Sequence, residues 1–252
     1  MCTRAVGALG HYFEEEGLPT TQISLIRLHT EGIKPPRALW VPFELGRPLG
    51  VPGDPAFQRK VLEAALKLLE APSGPIIEDY PEEAPASQGE ITALACPVNF
   101  VQDQSDISEL EKLGQALKNE ISALHPWYDM AVEKRGRTTV MTAGTEIDAT
   151  GDFIFSFLGD ETPENPRDDI PIGFSLKLAA DDLKAYYLEG ITAQPGQEYA
   201  SSQVLTGWFW NETVAGKVLL NIKSKLENNE DNALRIAARA LLVPRIVADA
   251  TA

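Results

Sequence analysis

Arg37-Ala38-Leu39-Trp40-Val41-Pro42-Phe43, a loop from Glu44 to Asp54, then Pro55 and an amphipathic run to about Ala71: this stretch decides the fold. Residues 37–43 are mostly apolar, as in a strand buried on both faces of a parallel sheet. The loop holds Gly46, Gly50 and Gly53 among prolines, which turns the chain sharply. Asp54 suits a helix N-cap and Pro55 the first helical turn. Phe57, Val61, Leu62, Ala65, Leu68 and Leu69 recur at helical spacing and predict the buried stripe. Strand, loop and helix in this order make one βα unit.

Working outward, the same alternation continues. Thr20 to Ile26 reads as a strand with Ile23 and Leu25 on one face, followed by a short polar helix or turn over 27–33 and the Pro35-Pro36 break. Upstream, Ala5, Val6, Leu9 and Phe13 predict a helix over about 5–16 that stops at Gly17. Downstream, Pro75 to Asp79 supplies a third strand. Residues 1–80 therefore predict an α/β module built on an open, mostly parallel sheet of few strands. So few strands make a marginal sheet alone, so later sequence, a partner protein or a second copy in a homo-oligomer is expected to complete it.

Residues 81–90 are a polar linker, and 91–252 predict a mainly α-helical domain of five or six helices. Ile107, Leu110, Leu113, Leu117, Ile121 and Leu124 mark a helix that bends or stops at Pro126. Thr138–Thr142 is a candidate short strand, Asp148–Leu158 a helix, Asn165–Pro171 a loop and Phe174–Glu189 a helix ending at Gly190. Ser201–Leu226 predicts the longest helix, and Ala233–Leu242 the last. Asn211-Glu212-Thr213 matches a glycosylation acceptor formally, but falls inside that predicted helix.

The totals exclude several classes. With 252 residues and a net charge of −15, nucleic acid and an anionic membrane surface are not expected partners. No apolar run reaches the ~18 residues of a membrane span, and the basic-then-apolar pattern of a signal peptide is missing. The expected compartment is cytoplasmic. Two cysteines, Cys2 and Cys96, give no disulfide framework. Three scattered histidines, without His-x-x-x-His or Cys-x-x-Cys, give little basis for a metal, and no cofactor is expected.

Candidate site residues fall in three places. Cys2 lies at or before a predicted helix start, where free N–H groups favour a thiolate; the plain alternative is a terminal cysteine. Cys96, in Leu94–Phe100, reads either as a second, resolving thiol or as a small buried apolar residue. His125-Pro126-Trp127-Tyr128-Asp129 gathers a base, aromatics and a carboxylate, with His125 as acid/base and Tyr128 as donor, or else aromatic packing at a helix end. The Glu44–Gly53 loop follows a strand and precedes a helix, the edge where α/β sheets bind ligands. There Gly46 permits close approach and Arg47 could hold a carboxylate, beside Glu44. His11 reads as solvated, Asp181-Asp182 and Glu14-Glu15-Glu16 as solvated faces, and Tyr186-Tyr187 and Trp208-Phe209-Trp210 as core packing or a groove.

Three stretches of residues 1–80 resemble the C-terminal part of selenoprotein B, the substrate-specific subunit of the glycine, sarcosine, betaine and D-proline reductases. Cys2-Thr3-Arg4 is similar to the end of that family's selenocysteine-containing loop. Glu16-Gly17-Leu18-Pro19-Thr20-Thr21 resembles its helix-to-strand turn, and Pro42 to Gly50 followed by Asp54-Pro55 its loop before a basic helix. The resemblance covers about a third of the chain. It implies reductive C–N cleavage, in which a selenolate attacks the substrate or its adduct, an amine leaves, and a dithiol turns the centre over. The selenocysteine would fall three residues before Cys2, ahead of Met1. Only Cys2 and Arg4 carry over, so either the chain starts late or this is a shortened relative that kept the scaffold and lost the chemistry.

The expected function is a thiol- or selenol-type reductase-related protein acting on a small amine or carboxylate compound, with Cys2 and Cys96 as thiols and Arg4 and Arg47 handling substrate charge. The alternatives are a non-enzymatic binding or assembly subunit of a reductase-like complex, and a small-molecule enzyme built on His125 and Tyr128.

Overall fold

The structure, a computed structural model, describes residues 2–84, 108–195, 202–244 and 247. The chain divides into two compact units, residues 1–88 and 89–252.

The first unit carries helix α1 (Cys2–Glu15), strand β1 (Gln22–Ser24), helix α2 (Arg27–Ile33), strand β2 (Arg37–Trp40), helix α3 (Pro55–Lys67), a 3-10 turn (Leu68–Glu70) and strand β3 (Ile76–Asp79). The sheet has the order β1-β2-β3 and is parallel throughout. Gln22 pairs with Ala38 and Arg37 with Ile76, so β2 is the central strand. Leu39, Val41 and Phe43 pack on Phe57, Val61, Ala65 and Leu68 of α3 and its 3-10 extension, with Tyr80 closing the cluster. Side chains alternate along a strand, so Ser24 and Trp40 lie on the face opposite Leu39. There Ser24 hydrogen-bonds Thr30, and Arg27 covers the Trp40 ring at 5.7 Å. α2 and α3 thus serve opposite faces.

Asp54 caps α3 as its sequence suggests, its side chain accepting from the Phe57 N–H at 3.0 Å. Leu62 and Leu69, expected in the buried stripe, are exposed. Helical positions one removed from Val61 and Leu68 swing about 100° off the buried line, and the sheet is too narrow to cover them. On α1, Val6, Leu9 and Phe13 also stay exposed on one stripe, while Gly7 and Gly10 face inward. Added Cβ atoms there would meet Ile33 at 2.6 Å and Pro36 at 3.3 Å, so small residues let α1 approach α2.

The second unit is helical: α4 (Glu109–Arg135), α5 (Ile147–Ser156), α6 (Ile172–Ile191), α7 (Ser202–Glu212), α8 (Val214–Leu226) and α9 (Asn232–Ile236), continued by a π-turn (Ala237–Leu241). Its core gathers Ile121, Ile154, Leu176, Leu183, Leu219 and Ile222 around the fully buried rings of Tyr186 and Tyr187. Trp208, Phe209 and Trp210 join the same core.

Four local expectations change. Pro126 does not end its helix: α4 runs 27 residues through it, opened by a Ser108/Glu111 capping box and closed by Gly136 at φ 64°. Burial of Leu117, Ile121, Leu124 and Ala131 on one continuous face outweighs one missing N–H. The predicted longest helix, 201–226, is two, α7 and α8. Thr213 sits between them, extended at ψ 152°, and its hydroxyl accepts from the Gly216 N–H. It is buried, whereas Asn211 and Glu212, at the end of α7, are exposed. Residues 138–142 form a loop, not a strand, because α6 supplies what a neighbouring strand would. Glu189 accepts from the Thr139 N–H, and Asp182 from the N–H groups of Thr142 and Ala143. Asp182 is 1% exposed and so is not on a solvated face.

Candidate functional site

In the first unit the candidate loop joins β2 to α3 at the carboxyl edge of the sheet, where all three strands end. Gly46, Gly50 and Gly53 take φ of 89°, 84° and 81°, a region that penalises any side chain. At Gly50 a Cβ would also stand 2.7 Å from the Phe57 ring. The loop thus folds down on α3 and turns Glu44 and Arg47 toward each other, with Arg47 Nη1 3.4 Å from Glu44 Oε2. A carboxylate of the chain itself stands at the position foreseen for a substrate carboxylate. At the same edge Arg27 donates to Asp79 at 2.7 Å and stands 3.2 Å from Glu31. No local spacing links Arg27 to Asp79 or to Trp40; the parallel register brings them together.

α1 begins at Cys2, of which only the backbone is described, and Arg4 is exposed on its first turn. The other end of α1 sits at the amino ends of the strands. Glu14, read as solvated, is half-buried there: it accepts from the Thr20 N–H at 2.5 Å and from Arg37 Nη1 at 2.6 Å. The Thr20 N–H holds its carboxyl below the usual glutamate range; burial opposes this, and the Arg37 charge adds to the lowering. Arg37 is 6% exposed and also donates to the Ala71 carbonyl. This pair joins α1 to β2, and Arg37 ties both to Ala71 just past the 3-10 turn. His11 is exposed, as expected, with Nε2 3.3 Å from the Ile33 carbonyl.

In the second unit His125 and Tyr128 flank one ring. His125 meets Tyr186 edge-on at 5.6 Å and Tyr128 lies 4.7 Å from it. Tyr186 is locked by a bond from its hydroxyl to the Ile121 carbonyl at 2.7 Å, and burial pushes its phenol well above the ordinary value. His125 Nε2 stands 3.4 Å from Asp148 Oδ2 on α5, a partner 23 positions away that no motif in the sequence announces. The Tyr128 hydroxyl is turned elsewhere, to Thr138 at 2.9 Å, and Thr138 donates on to Glu189. Burial first, then the charges of Glu189, Asp129 and Asp182, raise the Tyr128 phenol above its ordinary value despite that bond. The arrangement positions a histidine–carboxylate pair at the surface and commits Tyr128 to holding the 138–143 loop.

Cys96 lies outside the described residues. Among the described residues no group of three or more His, Cys, Asp or Glu is placed to hold a metal ion. No described helix is long and apolar enough to cross a membrane. Protein-family models, curated proteins and solved structures offer no match to the chain.

Proposed function

We propose that the chain is a reductase-related protein of the thiol or selenol type, acting on a small amine or carboxylate compound through its first unit. The observation that carries this reading is where the three family-like stretches fall in a parallel βα arrangement. Cys2 opens α1, Glu16–Thr21 turns α1 into β1, and Pro42–Gly50 links β2 to α3. Each sits at a joint between elements, where sequence variation is otherwise freest and function concentrates. In this reading Cys2, the residue that opens α1, is the reactive thiolate, and Arg4 neutralises substrate charge. Glu44, Gly46 and Arg47 form the polar loop, with Arg47 exchanging Glu44 for a substrate carboxylate. Cys96 is the second thiol. A partner protein or second copy extends the three-stranded sheet.

The test is the pH dependence of alkylation of Cys2 in the Cys96→Ser protein. The expected midpoint is clearly below about 8.5, the value of an unperturbed thiol, and Arg4→Ala raises it. An ordinary midpoint, unmoved by Arg4→Ala, overturns the reading and leaves the assembly role or the enzyme built on His125 and Tyr128.

A further inference from the structure

Among the described residues β1 and β3 each pair only with β2, so both are edge strands. They differ in charge. β3 carries the exposed Glu78 and Asp79; Arg27 engages Asp79 and leaves Glu78 as a charge guarding that edge. β1 and its flanks, Thr20 to Ile26, hold no charged residue. The Ser24 carbonyl accepts from the Val41 N–H beyond the end of β2, and backbone groups of successive strand residues point to opposite sides. Ile23 therefore turns its N–H and C=O outward, to the open edge.

An apolar helix face adjoins that edge. Val6, Leu9 and Phe13 of α1, at spacing i, i+3, i+7, are 46%, 52% and 47% exposed. A groove of about 210 Å³ lies between these three and Thr20, Thr21 and Gln22; Arg37 lines it as well but is already engaged by Glu14. Single apolar side chains on a surface are ordinary, whereas a stripe joined to an unguarded strand edge marks an interface. The stripe is bounded by Arg4 at one end and by Glu15 and Glu16 at the other, all exposed. Among the described residues neither Arg4 nor Glu15 has an ion-pair partner. This order is self-complementary. Val6 and Phe13, like Arg4 and Glu15, are equidistant from a point between Leu9 and Gly10. Two α1 helices running antiparallel about that point set each Val6 against the other copy's Phe13, and each Arg4 against the other copy's Glu15. A twofold axis normal to the sheet aligns the helices in this way and runs the two β1 strands antiparallel in the same operation.

We propose that the α1/β1 face docks a second copy of this chain, the two β1 edges pairing into one continuous sheet and the two α1 helices packing antiparallel across the join. The proposal rests on the sheet extension within the proposed function, not on its thiol chemistry. Its test reads mass and amide exchange, so its failure leaves the Cys2 alkylation result standing. In the dimer Arg4 meets a substrate charge by exchanging Glu15, as Arg47 exchanges Glu44.

Sedimentation equilibrium of the full chain is expected to show a dimer that dissociates in about the micromolar range. Leu9→Asp, at a half-exposed position, should keep the circular dichroism of the native chain and weaken the dimer about tenfold or more. Glu15→Arg turns two exposed attractions into repulsions and should weaken it about threefold to tenfold. Adding Arg4→Glu to Glu15→Arg should restore the dimer, a readout that removes no apolar contact. The Ile23 amide should exchange slowly in the dimer and freely in Leu9→Asp. A monomer throughout that range, a dimer indifferent to Leu9→Asp, failure of the charge swap to restore association, or equal Ile23 exchange in dimer and monomer overturns the proposal.

Discussion

Removing the Glu120 carboxylate should unfasten α8 from α4. Glu120 is 6% exposed in the middle of α4. Its Oε1 accepts from the Val214 N–H at 2.9 Å, and its Oε2 from the Ala215 N–H at 3.0 Å and the Tyr187 hydroxyl at 2.7 Å. Val214 and Ala215 are the first two residues of α8, so a buried anion occupies the positive end of that helix. Glu120→Ala strands two N–H groups and a phenol away from water. Each orphaned donor costs about 1–3 kcal/mol, and relief from burying a charge offsets part, which leaves about 3–5 kcal/mol. Glu120→Gln keeps one acceptor and sets an NH2 against the remaining donors, for about 1–3 kcal/mol; Tyr187→Phe loses one bond, about 1 kcal/mol. Urea titration followed by tryptophan fluorescence, with Trp208 and Trp210 in the same core, reads all three. The carboxyl is pushed above the ordinary glutamate value by burial, against the bonds from Val214, Tyr187 and Ala215. The folded state therefore holds this proton more tightly than the unfolded chain. The contribution from that proton is fully present below about 4.5 and is lost as pH rises through the folded value. Glu120→Gln should remove that fall. A loss under about 1 kcal/mol in Glu120→Ala, or an unchanged pH slope in Glu120→Gln, would refute the reasoning.

Two further outcomes follow from neighbouring contacts. Asp182→Ala removes the acceptors of the Thr142 and Ala143 N–H groups, so hydrogen exchange at those two amides should accelerate at least tenfold while the core of α6 stays protected; uniform acceleration would mean global destabilisation instead. In Gly216→Ala the new methyl would stand 2.2 Å from the Phe209 carbonyl oxygen. Backbone cannot yield as a side chain does, so a loss of about 1–3 kcal/mol is expected by thermal or urea unfolding, and a neutral result would show that α7 and α8 can separate freely at Thr213.

Much of the architecture follows from the chain read in order. The Asp54-Pro55 start of α3, the apolar 37–43 strand and the 3.6-residue recurrence from Leu113 to Leu124 are local patterns, set by dihedral preference and by which face must leave water. They determined a parallel α/β module followed by helices. What depended on distant partners was not legible. Pro126 reads as a bend or a stop, and only the continuous buried face of α4 shows that the helix runs through it; Val140 lies in a pattern that suits a strand until Asp182 and Glu189 satisfy its neighbours. His125 was visible as a candidate; Asp148, 23 residues away, was not. Whether a carboxylate is solvated or buried depends on which donors the fold brings to it, and neither the Glu14–Arg37 pair nor Glu120 under α8 has a signature in sequence spacing. Local propensity acts over a few residues, whereas burial and charge pairing act through space, and only the tertiary structure decides which residues share it.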